Sequence, residues 1–246
     1  MEAGRSPLLV NFEECRGQSV IGEIVGVALT PDMANTRFAA PPLGLDCRSS
    51  ALEYAGLEAV DNRFELPNHP DDDPVRWNLS IDTGNRWVLP AQWLLAAGKT
   101  WSACIVTPRD AGPYEGRLAD AFDGQNLPDA FGTCWESRQV SAALQSANCG
   151  QPHVSELIAA GRVNDLASVG SARILESCAA LAARVMERDE ATATGELTVQ
   201  TSPDASRIDL RTSGSLSILC YVAASGDRQL AGTVVGLGDQ PIRYAN

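Results

Sequence analysis

The sequence predicts an α+β protein of two related modules, each a helix packed on a mostly antiparallel sheet and stapled by disulfides. Three observations carry that prediction. A cysteine pattern occurs twice in the same order, and a repeat has to be recognised before a fold is argued. In each half, strand-like segments lead into a helical segment and then return to strands, the order expected of a helix laid on an antiparallel sheet. Finally, 246 residues are enough for two cores of about 100–120 residues each.

The repeat begins with Cys15-Arg16-Gly17-Gln18 in one half and Cys149-Gly150-Gln151 in the other. Each is followed by a glutamate, Glu23 or Glu156, at the head of an aliphatic run. A cysteine then stands in an alanine- and leucine-rich segment (Cys47, Cys178) and another in a strand-like run (Cys104-Ile105-Val106, Cys220-Tyr221-Val222). A glycine follows each run, Gly116 and Gly232. Only the second copy has an opening cysteine, Cys134 in Gly132-Thr133-Cys134-Trp135. The modules therefore span residues 7–123 and 124–246, joined at the turn-like Asp123-Gly124-Gln125-Asn126-Leu127-Pro128.

In the first module, residues 10–29 read as one or two strands, with Val20, Ile24, Val25, Val27 and Leu29 apolar. Pro31, Pro41, Pro42 and Gly44 then break the chain. A helix over 49–60, capped by Ser49 or Ser50, offers Leu52, Ala55, Leu57 and Ala59. Residues 66–90 read as an insertion that the second module lacks, holding Asp71-Asp72-Asp73, Trp77 and Trp87. A short helix over 90–97 precedes a strand over 101–106. In the second module, 135–144 is ambiguous between strand and irregular structure, and 154–160 is a strand. Residues 171–188 form a helix with Ile174, Leu175, Cys178, Leu181, Ala182 and Val185 on one face. Strands are expected over 196–200, 207–212, 217–223 and 229–236, divided by Pro, Gly and Asp.

Apolar residues make up 44% of the chain and charged residues 20%, the balance of an ordinary soluble globular protein. A formal net charge of −12 argues against nucleic acid or an anionic membrane surface as partner, since both need a basic patch. The most apolar early stretch, 20–29, contains Glu23 and is too short for the roughly 20 residues of a membrane span. Seven cysteines at repeated positions fit an oxidising compartment. Cysteines of an exported protein without a visible export device give one expectation: a soluble part of a longer precursor, attached to a membrane only through an upstream anchor.

The helix cysteine and the last strand cysteine recur most faithfully, so Cys47–Cys104 and Cys178–Cys220 are the expected helix-to-sheet bridges. Each closes a loop that should stabilise by roughly 4 kcal/mol in the chain-entropy model; a tighter Cys134–Cys149 bridge would contribute about 3 kcal/mol. The rival is a zinc site, because Cys149 and His153 stand four residues apart. Structural zinc takes four ligands, usually delivered as two close pairs, and the second pair is missing. Disulfides are the preferred reading, with no metal and no cofactor.

His69 and His153 are the only histidines, and no Gly-x-Ser-x-Gly elbow, His-Glu-x-x-His helix or Walker loop occurs. His153 is read as a structural, hydrogen-bonding residue beside a disulfide, with a catalytic role as the alternative. Glu23 and Glu156 supply one carboxyl per module, whereas a paired-carboxylate mechanism needs two within about 10 Å. The acidic run at 71–73 lacks the ligand alternation of a calcium loop. Trp77, Trp87, Trp93 and Trp101 crowd together in sequence and either fill the first module's core or present a binding face. Trp77, Trp87 and Trp93 are the candidate partner surface.

Gly132-Thr133-Cys134-Trp135, then Cys149-x-x-Pro152-His153-x-x-Glu156, then Cys178 and Cys220 resemble the septum-formation domain of actinobacterial cell-envelope proteins. The first module resembles a diverged copy that keeps Cys15, Glu23, Cys47 and Cys104 and lacks the Pro-His pair. The resemblance implies an extracytoplasmic, cell-envelope protein linked to septation and cell division, with no established reaction. The expected function is a non-catalytic binding or scaffolding module for an envelope or division partner. One alternative is an envelope hydrolase or ligand-processing enzyme using His153 and Glu156. Another is a structural accessory subunit of a membrane complex.

Three expected bridges leave Cys15 over. Its counterpart Cys149 has Cys134 fifteen residues earlier, and the same count back from Cys15 reaches the start of the sequence. The expectation is a partner cysteine upstream of Met1. The purified chain, denatured without reductant, should titrate one thiol or form Cys15-linked dimers; a bridge from Cys15 to Cys47 or Cys104 would refute the repeat alignment.

Overall fold

The computed structural model describes residues 22–29, 46–57, 64, 75–81, 83–90, 92–99, 101–108, 114, 116–119, 121–122, 127–140, 146–163, 169–192, 194–203 and 216–245. In chain order the elements are β1 (Glu23–Leu29), α1 (Cys47–Ala55), β2 (Arg76–Leu79), β3 (Thr83–Val88), α2 (Gln92–Ala96) and β4 (Trp101–Pro108). There follow a 3-10 turn (Asp129–Phe131), β5 (Thr133–Trp135), β6 (Ser155–Val163), α3 (Ser171–Val185), β7 (Leu197–Ser202) and β8 (Leu216–Ala224). The fold is α+β, with helices on antiparallel sheets. The chain divides into two compact units, Met1–Gly56 with Thr83–Ala121 and Leu57–Asp82 with Phe122–Asn246.

In the first unit the strand order is β1-β4-β3, all antiparallel, with β4 central. Helix α1 starts one turn earlier than the serines suggest, because Asp46 caps it: its carboxylate accepts from the Arg48 N–H (3.1 Å) and the Ser49 hydroxyl (2.6 Å). It stops at Gly56, whose φ of 77° is the left-handed conformation that ends helices. Cys47, Ala51 and Ala55, four residues apart, are its buried stripe, and small side chains there let the helix lie close on β1, β3 and β4.

The second unit centres on β6. One edge of β6 pairs with β8, which pairs with β7; the other edge pairs with β5 along 155–157 and with β2 along 159–162. Helix α3 packs on this sheet through Ile174, Cys178, Leu181, Ala182 and Val185. Leu175, expected on the same face, is exposed.

The two sheets repeat one plan in detail. Strand, helix, strand, strand run β1-α1-β3-β4 in one unit and β6-α3-β7-β8 in the other, with the last strand central in the triplet each time. Glu23 lies opposite Val106, and Glu156 opposite Val222. A register shift follows immediately, between Ile24 and Gly26 and between Leu157 and Ala159. Each of these β-bulges inserts one residue and re-aims the strand. Beyond it Cys104 faces Gly26 and Cys220 faces Ala159. The bridges Cys47–Cys104 and Cys178–Cys220 then join helix to central strand, with Cα separations of 5.4 and 5.5 Å. Cys134–Cys149 closes the third, at 5.2 Å. These are the pairings that the repeat suggested.

Two expectations change. The insertion expected over 66–90 holds only in part among its described residues: β2 has no counterpart in the second triplet and is an edge strand of the second unit, whereas β3 is the counterpart of β7 and belongs to the repeated plan. Residues 229–236 form no strand, only the isolated bridges of Leu230 to His153 and Tyr244. The N–H groups of Thr233 and Val234 bond instead to the side chains of Asp129 and Glu156, which holds the segment off any ladder. Cys15, His69, Asp71 to Asp73 and the strand expected over 207–212 lie outside the described residues.

Trp77 shows how β2 is held. It lies opposite Gly161 on β6, is buried, and donates from Nε1 to Ser177 Oγ on α3 at 2.7 Å. A Cβ on Gly161 would stand 2.5 Å from both Trp77 Cε3 and Val75 Cγ1. Gly161→Ala should therefore destabilise by about 1–3 kcal/mol through overpacking, and Val75→Ala in the same chain should recover part of the loss. Chemical denaturation reads this; no loss in Gly161→Ala would contradict the β2–β6 pairing.

Candidate functional site

The antiparallel register of β5 on β6 sets Cys134 directly opposite Glu156, so their side chains share one face. Beyond β5 the chain returns to pair Ala147 with Cys134 through two backbone hydrogen bonds of 3.0 and 2.8 Å. A turn follows, in which Asn148 Oδ1 accepts from the Gly150 N–H at 2.6 Å. That turn delivers Cys149 to Cys134. Residue 132 must be glycine here, because a Cβ would meet Cys149 Sγ at 2.5 Å.

Pro152 is exposed, and His153 then turns inward. Its backbone exchanges two hydrogen bonds with Leu230, 3.1 and 2.7 Å. Its ring Nδ1 lies 2.7 Å from the Gln151 carbonyl, which fixes Nδ1 as the protonated nitrogen. Nε2 has no hydrogen-bond partner among the described residues. The result is one sealed cluster: Cys134, Cys149, His153 and Glu156 are all buried, and one donor atom from each lies within 4.8 Å of the others.

Glu156 is held by the segment that follows β8. The Thr233 hydroxyl donates to Oε1 and the Val234 N–H to Oε2 at 2.7 Å, while the Val235 N–H donates back to Thr233 Oγ1 at 3.1 Å. Asp129 Oδ1 holds the same segment from the 3-10 turn, accepting from the Thr233 N–H at 2.7 Å and from Arg243 Nη2 at 2.8 Å. Burial is the main force on the carboxyl and pushes its pKa up to about 7, against the two hydrogen bonds, which pull it down. Burial likewise holds the His153 imidazole below its ordinary pKa, so it is neutral at physiological pH.

Of the residues singled out in the sequence, the fold gathers the Cys134–Cys149 bridge, His153 and Glu156, and it leaves Pro152 at the surface. The three tryptophans part company. Trp77 is core of the second unit, so it offers no partner surface; Trp87 is half-buried, opposite Cys104 in the first; Trp93 on α2 is 71% exposed. Sequence reasoning missed Asp129, Thr233 and Arg243. The one available signal was the repeated glycine, since Gly232 precedes the Thr233–Val234 donors and a Cβ there would lie 1.9 Å from Arg243 Nη2.

The chain matches no family model, no curated protein and no solved structure. Three disulfides among the described residues mark an oxidising, extracytoplasmic environment. No described helix is long and apolar enough to cross a membrane.

Glu156 gives a pH signature. Its folded pKa of about 7 stands above the ordinary value of 4.5, so between those limits the folded state binds the proton more tightly than the unfolded chain. The stability attached to this group is complete below about pH 4.5 and is lost as pH rises to about 7, a drop of the order of 3 kcal/mol. Glu156→Gln removes the titration, and the stability difference between pH 5 and pH 7.5 should shrink by that amount in urea unfolding. An unchanged pH profile would show that Glu156 ionises freely.

Proposed function

We propose that the chain is a non-catalytic extracytoplasmic envelope module that binds or scaffolds a partner protein, in the septation process to which its resemblance points. The supporting observation is the complete burial of both motif side chains, since His153 and Glu156 are each 0% exposed. A general acid or base has to reach a proton on its substrate, directly or through one water. Here the imidazole Nδ1–H is held by the Gln151 carbonyl and the carboxyl by Thr233 and Val234, and neither side chain reaches the surface. Recognition then falls to the surface. Trp93 is the most exposed large apolar side chain described, and Val27 and Ile24 of the same unit are also exposed. Aromatic side chains in this position are the type that anchors protein interfaces. The acidic balance favours a protein partner over nucleic acid or anionic lipid.

A photo-crosslinking residue at position 93 should give one adduct of discrete mass with an envelope or division protein, and a residue at the exposed position 175 should not. Excess protein competes with that adduct, and Trp93→Ala protein does not. His153→Ala should lower stability by on the order of 1–3 kcal/mol through the lost buried hydrogen bond and keep the adduct. An equally stable His153→Ala chain that loses the partner, or a hydrolytic activity abolished by Glu156→Gln, would overturn this reading.

A further inference from the structure

The Cys134–Cys149 bridge stands in surroundings that a structural disulfide does not require. Next to its sulfurs are a neutral imidazole and a carboxylate, all four side chains are buried, and their donor atoms fit within 4.8 Å. Among the described residues this is the only such group. His153 Nε2 is an unpartnered lone pair on a side chain with 0% exposure, while Nδ1–H is held by the Gln151 carbonyl. That is the arrangement of a metal-ligating histidine, whose second nitrogen is tied to an oxygen that orients the ring. Glu156 is oriented in the same way by Thr233 and Val234. Two cysteines, one histidine and one carboxylate are a donor set for a tetrahedral divalent ion such as zinc, whose ligand atoms sit about 3.3–3.8 Å apart.

We infer that this cluster is a redox-gated metal site, with the Cys134–Cys149 disulfide as its oxidised, metal-free form. A dithiol reductant opens it: one reductant sulfur attacks the bridge, its second thiol resolves the mixed disulfide, and two electrons and two protons pass to Cys134 and Cys149. The ion then displaces both thiol protons and takes two thiolates, His153 Nε2 and one Glu156 oxygen. The turn over 150–152, exposed beside buried Cys149, is where the cluster lies next to solvent. Bridge and metal exclude each other, because both use the same two sulfurs. Close spacing along the chain gives Cys149, His153 and Glu156; Cys134 arrives through the pairing of β5 with β6.

Cobalt reads the site directly. The reduced, folded chain, freed of reductant under anaerobic conditions, should bind one Co2+ with the visible absorption of a tetrahedral thiolate complex, displaced by Zn2+. His153→Ala and Cys134→Ser should bind at least about tenfold more weakly, and Cys178→Ser should bind normally. An identical spectrum in His153→Ala and Cys134→Ser, or no binding to the folded reduced chain, overturns the inference. Should reduction unfold the chain, oxidative refolding decides. With Zn2+ present, Cys47–Cys104 and Cys178–Cys220 should form while Cys134 and Cys149 stay open to alkylation, as read by peptide mass mapping. Equal formation of all three bridges with and without Zn2+ would sink the idea.

Discussion

A buried carboxylate clasping a backbone N–H closes each unit, and the rest of the architecture is arranged around that contact. Glu23 Oε1 accepts from the Leu118 N–H at 3.1 Å, as Glu156 Oε2 accepts from the Val234 N–H at 2.7 Å. Each donor stands two residues after a glycine, Gly116 or Gly232, and each acceptor lies at the same register on the bulged first strand of its triplet. The bulge also puts Gly26 and Ala159 opposite the strand cysteines. Small cross-strand neighbours leave room for a disulfide and the helix it holds. Carboxylate, bulge and bridge are therefore one device, found twice, and a change to any of the three disturbs the other two.

The copies differ in how the second carboxylate oxygen is satisfied. In the first unit the Tyr54 hydroxyl of α1 donates to Glu23 Oε2 at 2.6 Å, and burial, aided by that bond, raises the tyrosine's pKa. In the second, the Thr233 hydroxyl does this from the clasped segment itself. The helix is thereby freed from the carboxylate, and space beside Glu156 is taken by the Cys134–Cys149 bridge and His153. The Pro-His pair belongs to the copy with the extra bridge, where the bridge and the imidazole lie beside the carboxyl.

Landmarks of residue type were legible in the sequence because the clasp and the bridges need particular chemistry: carboxylate, glycine and cysteine at fixed places. The order of strands and helix was legible for the same reason, since repeated landmarks anchor an alignment that periodicity alone leaves open. The segment around β2 and β3 was not. Its tryptophans left core and binding face open, and Trp77 is placed in the second unit's core by a glycine eighty-four positions away and by Ser177, partners that no local pattern reveals. Residues 229–236 hold the β-branched run Thr233-Val234-Val235 of a strand candidate, and side-chain acceptors from Asp129 and Glu156 claim the N–H groups that a ladder would need.

Connectivity interleaves the two units along the chain even though their plans match. Strand β2 lies between α1 and β3 in sequence and completes the edge of β6 in space. Its backbone bonds cover 159–162, and Ser80 continues them by donating from its N–H to the Ile158 carbonyl at 2.9 Å. A cut near residue 123, where composition suggests a boundary, would strip that edge from the second sheet and expose the buried Val75, Trp77 and Ile81 positions as well as the face they cover. An uncovered sheet edge with apolar surroundings is an aggregation hazard. Because β2 is placed in sequence before β3 and in space on β6, the second unit includes residues 57–82, where the repeated cysteine pattern marks no boundary.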